Sequence, residues 1–221
     1  MSSLPKPYFT PEQYLERERQ ADYKSEYFAG EIFAMAGASR THNLISNNVS
    51  ASLTVQLRDR PCEVYANDMR VQADGARQYS YPDVVVVCGE PQFRDGREDT
   101  LSNPTIVIEV LSPTTEANDR GEKFMRYRQT PSLTDYVLLS QYARHVEHFV
   151  KQPDGSWRMT EADGEDTILL SSIGCILPLA DAYNKATLEP PARPVLNGLR
   201  RLHPPPRVTC EHLSLLPVNR G

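Results

Sequence analysis

The sequence predicts an α/β domain with a mixed central sheet flanked by helices. Two apolar runs, Val84–Val87 and Ile106–Ile108, are typical of strands covered on both faces, because β-branched residues follow one another without polar alternation. Between about Arg40 and Arg58 the apolar residues recur every three or four positions, which indicates an amphipathic helix. These residues are Leu44, Ile45, Val49, Leu53 and Leu57. Buried strands together with such a helix favour a layered α/β architecture.

The N-terminal elements are predicted from local signals. Thr10 followed by Pro11 and, three residues after the cap, Gln13 has the form of a helix start, and we expect a short helix to about Ala21. Two short aromatic and apolar runs then surround Gly30, which predicts a hairpin. The runs are Glu26–Phe28 and Ile32–Met35. The long helix of residues 40–58 follows.

The rest of the core is predicted as three strands, a helix and a strand. The three strands are Cys62–Ala73, Ser80–Cys88 and Thr105–Ser112, the helix is Asn118–Gln129, and the last strand is Asp135–Leu139. The core order is therefore helix, three strands, helix, strand. Further strands at Val146–Val150, Trp157–Thr160 and Thr167–Leu170 are expected to extend the edge of the sheet.

Charge and composition divide the chain of 221 residues in two. Residues 189–221 hold five basic and two acidic groups, so the net charge of −5 divides into +3 there and −8 before them. Because residues 1–188 are acidic overall, a broad basic surface that binds phosphates is excluded as their main means of binding nucleic acid. Any nucleic-acid contact must therefore be local or helped by cations. Prolines interrupt residues 189–221, which we expect to be a disordered tail after one domain at 1–188.

The cellular location of the protein is predicted from the absence of targeting signals, and the state of its thiols from the spacing of its cysteines. No stretch approaches the roughly 20 apolar residues that cross a bilayer, and the first ten residues lack the pattern of a secretion signal. We therefore expect a soluble, cytoplasmic protein without a membrane partner. The four cysteines are widely spaced and predict reduced thiols, not a zinc site. They are Cys62, Cys88, Cys175 and Cys210.

Two carboxylates in the apolar strands are the strongest candidates for chemistry. Asp83 enters one strand, and Glu109 lies 26 residues later inside the run Ile106–Leu111. An ionised carboxylate in so apolar a strand is costly unless it is paired or binds a metal. If the two strands are antiparallel neighbours, the carboxylates can converge into an oxygen-rich site that suits magnesium or manganese.

The order of elements and motifs resembles the PD-(D/E)-x-K nuclease superfamily, and more closely the Uma-two family of restriction-endonuclease-like proteins. The resemblance spans about Thr10 to Tyr183. It rests on a series of short motifs: Glu26-Tyr-Phe-Ala-Gly-Glu31, Met35 followed by His42, Tyr81-Pro-Asp83 before the valine run, Pro104 to Pro113, and Asp119, Lys123 and Tyr127.

The resemblance implies a restriction-endonuclease-like core and a metal-dependent nuclease. Asp83 and Glu109 would be the ligands of Mg2+ or Mn2+. The superfamily motif would have lysine at position 111, where this chain has Leu111, and Lys123 on the following helix is the candidate replacement. Glu26 and His42 would complete the catalytic site. The implied substrate is nucleic acid, with DNA expected by family analogy, and a homodimer is a further expectation because many such nucleases pair two sites.

Each assignment has a structural alternative. Asp83 can cap a turn, Glu26 can be an exposed hairpin residue, and His42 can be held by local hydrogen bonds. Lys123 can belong to a solvated helix face, because three opposite-charge pairs stand four residues apart on that helix. They are Glu116/Arg120, Asp119/Lys123 and Glu122/Arg126. The corresponding alternative function is a catalytically inactive nucleic-acid-binding or interaction protein of the same fold.

Two further residues or pairs favour structural roles. Asp68 and Arg70 occupy alternate positions of one predicted strand, so they predict an ion pair rather than a part of the site. Tyr127 falls on the same helical stripe as Lys123 and predicts a packing residue.

Overall fold

A computed structural model describes residues 7–189 of the chain. The predicted tail lies outside the described residues except for Glu189. In the described part the helices are α1 (Pro11–Glu18), α2 (Arg40–Leu57), α3 (Glu116–Asn118), α4 (Phe124–Tyr127) and α5 (Leu179–Ala182). The strands are β1 (Ser25–Phe28), β2 (Glu31–Ala34), β3 (Cys62–Ala66), β4 (Arg70–Ala73), β5 (Gln78–Ser80), β6 (Val84–Cys88), β7 (Thr100–Leu101), β8 (Ile106–Leu111), β9 (Asp135–Ser140), β10 (His145–Lys151), β11 (Trp157–Asp163), β12 (Thr167–Leu170) and β13 (Cys175–Pro178). Within residues 7–189, no helix combines the length and apolar character that a membrane crossing requires.

The predicted start of α1 and the hairpin after it are confirmed. The Thr10 side chain accepts from the backbone N–H of Gln13 at 3.3 Å, and the Gln13 side chain accepts from the Thr10 N–H at 2.9 Å. The helix ends at Glu18, three residues earlier than expected. In the turn between β1 and β2, Gly30 has a φ of 102° and packs so closely on Tyr8 that a Cβ would collide with the ring, so only glycine fits.

A six-stranded mixed sheet forms the centre of the fold, as predicted, in the order β11-β10-β9-β8-β6-β3. The β8–β9 pair is parallel and the others are antiparallel. Val84 and Val86 pack on the side of α2, whereas Val85 and Val87 pack on the side of α4. Both faces of the central strands are therefore covered, which is why their sequences lack polar alternation.

Two predicted strands are each divided between this sheet and a second one. Cys62–Ala73 forms β3 and β4, and Ser80–Cys88 forms β5 and β6. The second sheet has the order β2-β1-β5-β4-β7, so it also contains the predicted hairpin. The chain leaves β3 at Asn67, which takes a left-handed φ of 60°, and it enters β6 through Pro82, which has no N–H to donate. The two crossing points are joined, because Asn67 N donates to the backbone oxygen of Asp83 at 3.0 Å.

The predicted edge strands are confirmed for β10 and β11 and wrong for β12. Instead of extending the central sheet, β12 pairs with β13, a strand that the sequence analysis did not predict. Burial explains the difference. Alternate side chains of β12 and β13 point inward and join the apolar cluster that α2 forms against the central sheet, among them Ile168, Leu170 and Leu177. The hairpin of β12 and β13 therefore covers the α2 side of the core.

The prediction of reduced thiols is wrong for Cys62 and Cys88, which form a disulfide. They are direct partners in the β3–β6 register, with their Cα atoms 4.0 Å apart, although 26 positions separate them in sequence. Cys175 is free and buried, as expected of an unpaired thiol. Cys210 lies outside the described residues.

Candidate active site

The candidate site lies where β6 and β8 pair. Their register is antiparallel, with Val84 opposite Ile108, and extending it by one residue puts Asp83, just before β6, opposite Glu109. Residues directly opposite each other in an antiparallel pair point to the same face. The Asp83 carboxylate is held there, because its Oδ2 accepts from the backbone N–H of Val110 at 2.7 Å. The two strands are therefore the antiparallel neighbours that convergence of the carboxylates requires.

Lys123 reaches this pair from the helical segment after β8. Its Nζ lies 2.9 Å from Oε1 of Glu109 and 3.1 Å from Oε1 of Glu26. The same Nζ lies 3.5 Å from Oδ1 of Asp119, which is the predicted pair four residues apart. Lys123 and Glu109 are each only 4% exposed, and Asp119 is 2% exposed. The alternative of a solvated helix face is therefore wrong for Lys123, although the charge pair behind it exists.

A helical stripe explains how Lys123 is buried. Asp119, Lys123 and Tyr127 stand four residues apart and are all buried, and a π-helical turn over Asp119–Lys123 joins α3 to α4. The hydroxyl of Tyr127 lies 2.7 Å from that of Ser80, and its ring packs in the apolar cluster on this side of the sheet. The packing role predicted for Tyr127 is confirmed. The charge pair expected between Asp119 and Lys123 exists, but it is buried and does not lie on a solvated helix face.

Leu111 shares the face of Glu109 but contributes only packing. It is two residues from Glu109 on β8, is 2% exposed and belongs to the same apolar cluster as Tyr127. The charged group next to Glu109 therefore comes from Lys123 on the helix and not from β8.

His42 binds Asp83 from the first turn of α2. Its backbone N–H donates to the Ser39 cap, as the local alternative expected, but its Nε2 also lies 3.1 Å from Oδ2 of Asp83. Burial lowers the pKa of His42, but the hydrogen bond and charge of Asp83 and the nearby backbone of Val110 outweigh it, so the pKa is raised overall. The Nδ1 of His42 is buried without a partner in hydrogen-bond geometry.

Glu26 completes the set from the second sheet. Its side chain is 14% exposed, so the alternative of an exposed hairpin residue is wrong. Besides its contact with Lys123, Oε1 of Glu26 accepts from the backbone N–H of Tyr81 at 3.4 Å. Asp83, Glu109, Lys123, Glu26 and His42 thus converge at one place from separate parts of the chain.

The electrostatics of the site favour a bound cation. Burial raises the pKa of Glu109 well above its usual range, and the neighbouring Asp119, Asp83 and Glu26 raise it further against the effect of Lys123. Burial lowers the pKa of Lys123, but the surrounding carboxylates raise it well above its ordinary value and keep it protonated. Three carboxylates thus contact one ammonium group, and the excess negative charge is unbalanced unless protons or a cation compensate it.

The donor set fits a hard divalent cation that keeps part of its water shell. Asp83 and Glu109 offer carboxylate oxygens, and Oε1 of Glu109 is buried with the Lys123 ammonium 2.9 Å away as its ion-pair partner. Among residues 7–189, no group of three or more His, Cys, Asp and Glu side chains is placed to hold a metal ion. Magnesium is commonly bound by one or two carboxylates and several waters, so two carboxylates suffice for it, whereas a closed zinc site needs four ligands.

Asp68 and Arg70 are not paired with each other, so this prediction is wrong. The chain bends between them, and each finds another partner. The Asp68 carboxylate lies 2.8 Å from Nζ of Lys24 on the surface, whereas the buried Arg70 guanidinium lies 3.2 Å from Asp99 and donates to the Tyr81 hydroxyl. The expectation that both stand outside the site's chemistry stays a prediction.

A family described as "putative restriction endonuclease" matches residues 11–180 of the chain. The protein belongs to this Uma2 family. The match covers most of the chain and includes every residue of the candidate site. The resemblance inferred from the short motifs is thereby confirmed.

Uma2 relatives and a solved structure support the same assignment. The uncharacterized protein sll1609 of Synechocystis sp. is 41% identical over 157 residues, which are 71% of this chain and 89% of that protein. A second uncharacterized protein of the same organism, slr1290, is 38% identical over 172 residues, 78% of this chain and 90% of that one. A crystal structure from Anabaena variabilis, described as "a putative nuclease belonging to DUF820", superposes with a TM-score of 0.66 at 16% identity and covers 79% of this chain and 97% of that one. At this identity the structural likeness shows the fold alone, and it confirms the predicted mixed α/β, restriction-endonuclease-like fold.

Proposed function

We propose that this Uma2 protein is a divalent-metal-dependent nuclease that hydrolyses phosphodiester bonds of nucleic acid, with DNA as the expected substrate. The observation that carries the proposal is the ammonium of Lys123, buried 2.9 Å from Glu109 on the sheet face that Asp83 shares. The descriptions of the family and of the Anabaena variabilis protein as nucleases support the same reaction class.

Asp83 and Glu109 would hold Mg2+ or Mn2+, which when bound supplies Lewis acidity and lowers the pKa of a coordinated water. The chain's own residues organise the surroundings of that site. The Val110 N–H and His42 hold one oxygen of Asp83 and fix the carboxylate beside β8. Burial excludes bulk water, so the charges act through a low dielectric.

Lys123 supplies the positive charge for the phosphate. Its Nζ is held by Glu26, Glu109 and Asp119, so the side chain stays charged and in one orientation without solvent. A preorganised ammonium can offset the negative charge that develops on phosphate oxygens during hydrolysis, or it can hold the attacking water. This is the task that the superfamily motif gives to a lysine at the position of Leu111.

The alternative of a catalytically inactive relative rested on Leu111. The position of Lys123 weighs against this alternative, because a buried cation next to Glu109 can take the place of the missing lysine in β8. The two functions still predict different behaviour. A binding module would retain nucleic acid without cutting it, and an interaction protein would neither bind Mn2+ saturably nor respond to Asp83→Ala in contacts with its partner.

Cleavage of plasmid and of oligonucleotides by purified protein with Mg2+ or Mn2+ tests the proposal, together with Mn2+ binding by calorimetry. Asp83→Asn and Glu109→Gln keep shape and remove charge, so each should lower cleavage and Mn2+ affinity by at least about 100-fold while the domain stays folded. Asp135→Asn, which alters a buried carboxylate outside the site, is the matched control and should cleave normally. Wild-type cleavage rates in either site variant would refute the two-carboxylate mechanism.

A further inference from the structure

An exposed apolar strip begins next to Glu26 on the β1–β2 hairpin. The antiparallel register puts Phe33 directly opposite Glu26, so both side chains lie on the same face of the hairpin. Phe28 and Met35 follow at alternate positions and share that face. We call Phe28, Phe33 and Met35 the hairpin strip. The hairpin strip begins beside Glu26, which contacts Lys123, and its residues Phe33 and Met35 are exposed to solvent.

The hairpin strip does not belong to the hydrophobic core. The opposite face of the hairpin carries Tyr27 and Ile32, which pack with the buried Tyr14. Phe33 is 48% exposed and Met35 is 37% exposed. The ring of Phe33 contacts Phe28 edge to face, with 5.8 Å between centroids. Single exposed apolar residues are common, but an aromatic face beside a charged buried site is informative because of its position.

The charge of the protein indicates what kind of contact is needed there. The part of the chain before Glu189 has a net charge of −8, so its summed charge disfavours the approach of a polyanion. A contact through a nucleobase does not depend on phosphate charge, because every base has a face that stacks on an aromatic ring. Arg126, from the helix that follows Lys123, lies 5.9 Å from the centroid of Phe28 and adds one local cation beside the hairpin strip.

We propose that Phe33 is a stacking platform for an unpaired nucleobase adjacent to the phosphate that the site binds, with Phe28 and Met35 supporting it. The inference rests on the proposed function and names its substrate class. A base reaches an exposed ring only when it has left its own stack, so the substrate is single-stranded or locally unpaired at the cleavage position. Phe33 is on this basis a binding residue that determines specificity and does not take part in the chemical step.

Single-turnover and steady-state cleavage of short oligodeoxynucleotides with Mg2+ tests the proposal. Phe33→Ala should raise KM about tenfold for a single-stranded substrate and leave kcat nearly unchanged, as expected for the loss of one base–aromatic stack. Phe33→Trp should restore KM, whereas Phe33→Leu should restore it only in part. An oligonucleotide with an abasic site at the cleavage position should have the same KM with wild type and with Phe33→Ala.

Salt and a fluorescent base provide a second readout. The ratio of the KM values of Phe33→Ala and wild type should change little between roughly 50 and 200 mM salt, because stacking releases no counterions. A 2-aminopurine at the cleavage position should change fluorescence on rapid mixing with wild type and not with Phe33→Ala. Tyr23→Ala is the matched control, since Tyr23 is 57% exposed but lines a separate hollow beside α1.

The outcomes separate this inference from the proposed function. If wild type cleaves and Phe33→Ala has the wild-type KM on every substrate, the stacking platform is refuted and the nuclease stands. If wild type binds without cleaving and Phe33→Ala loses about tenfold in affinity, the platform stands and the nuclease is refuted. If wild type neither binds nor cleaves, both are refuted. A change of oligomeric state in Phe33→Ala, measured by sedimentation, would instead assign the hairpin strip to a contact between two copies and overturn the proposal.

Discussion

The His42–Asp83 pair and the His148–Asp135 pair have similar geometry but different surroundings. Their nitrogen–oxygen distances are 3.1 Å and 2.7 Å. Asp135 also accepts from the hydroxyls of Thr134 at 2.7 Å and Ser172 at 2.5 Å, so both of its oxygens are bound. In the first pair one oxygen of Asp83 takes both the His42 ring and the Val110 N–H, and Nδ1 of His42 makes no hydrogen bond in good geometry.

This difference supports a structural role for the His148–Asp135 pair and, under the proposed function, a ligand-facing role for the His42–Asp83 pair. A buried polar group that is fully hydrogen-bonded stabilises a fold, whereas an unsatisfied group carries a desolvation cost of about 1–3 kcal/mol. Nδ1 of His42 is one of several buried side-chain atoms among residues 7–189 without a hydrogen bond in good geometry, and it belongs to the candidate site. Such a cost is tolerated where a ligand compensates it, which is the behaviour expected of a catalytic centre.

The largest fall in cleavage rate is expected for substitutions of Lys123. They test whether the contrast between the two histidine pairs holds for the site as a whole. Lys123→Met keeps most of the side-chain volume and removes the charge, so cleavage should fall by about 100-fold or more. Lys123→Arg should rescue poorly, because a planar guanidinium does not fit where a compact ammonium is held by three carboxylates.

Single-turnover cleavage at saturating Mg2+ or Mn2+ measures the Lys123 effect, and Asp119→Ala is the comparison. If Lys123→Met and Asp119→Ala both cleave like wild type, the buried cluster is structural. Circular dichroism should accompany the rates, since removing one partner of a buried ionic cluster also destabilises the fold.

At Asp135 the expectation is a stability effect without loss of activity. Asp135→Asn weakens hydrogen bonds to a buried charged group and should cost about 2 kcal/mol, which is about 5 °C in Tm for a domain of this size. Cleavage rates at a temperature where the variant is folded should match wild type. A fall in the cleavage rate larger than the fall in folded fraction would contradict the structural assignment of this pair.

The pH dependence of the Asp135 effect follows from its pKa. Burial raises the pKa of Asp135, but bonds from His148, Ser172 and Thr134 outweigh it, and the pKa is lowered overall. A lowered pKa contributes stability that is present above the unfolded value near pH 4 and lost as the pH falls through the folded value. The difference in Tm between wild type and Asp135→Asn should therefore be largest near pH 7 and become smaller below about pH 4. Thermal melts at both pH values measure it.

The smallest change in Tm is expected for His42→Gln, and His148→Gln is its counterpart in the other pair. His42→Gln should lower cleavage about tenfold and change Tm by only a degree or two, because His42 orients Asp83 from a pair that is incomplete without a ligand. His148→Gln should lower Tm and leave cleavage unchanged. The opposite pattern, a stability loss at His42 and an activity loss at His148, would reverse the assignment of the two pairs.

Much of the fold was predictable because its signals are local. The capping residues of α1, the turn at Gly30 and the periodicity of α2 act within a few residues, and the valine and isoleucine runs report burial on both faces. The division of residues 62–73 and 80–88 between two sheets was not predictable in this way. It depends on Asn67 and Asp83 meeting across the chain, which no local pattern encodes. The Cys62–Cys88 disulfide is hidden for the same reason, since it depends on register.

The sequence by itself determined the family, the mixed sheet and the candidate carboxylates, because Asp83 and Glu109 are conspicuous in strands that otherwise bury only apolar side chains. Only the tertiary structure decided which polar residues join them. Lys123 and Glu26 each had an alternative in which water satisfied the charge, and His42 had one in which local hydrogen bonds held it. Local sequence does not distinguish a solvated helix or hairpin from a buried one. Burial decides between these alternatives, because a charge removed from water must find its partners in other segments of the chain, and their positions are set by the packing of the two sheets.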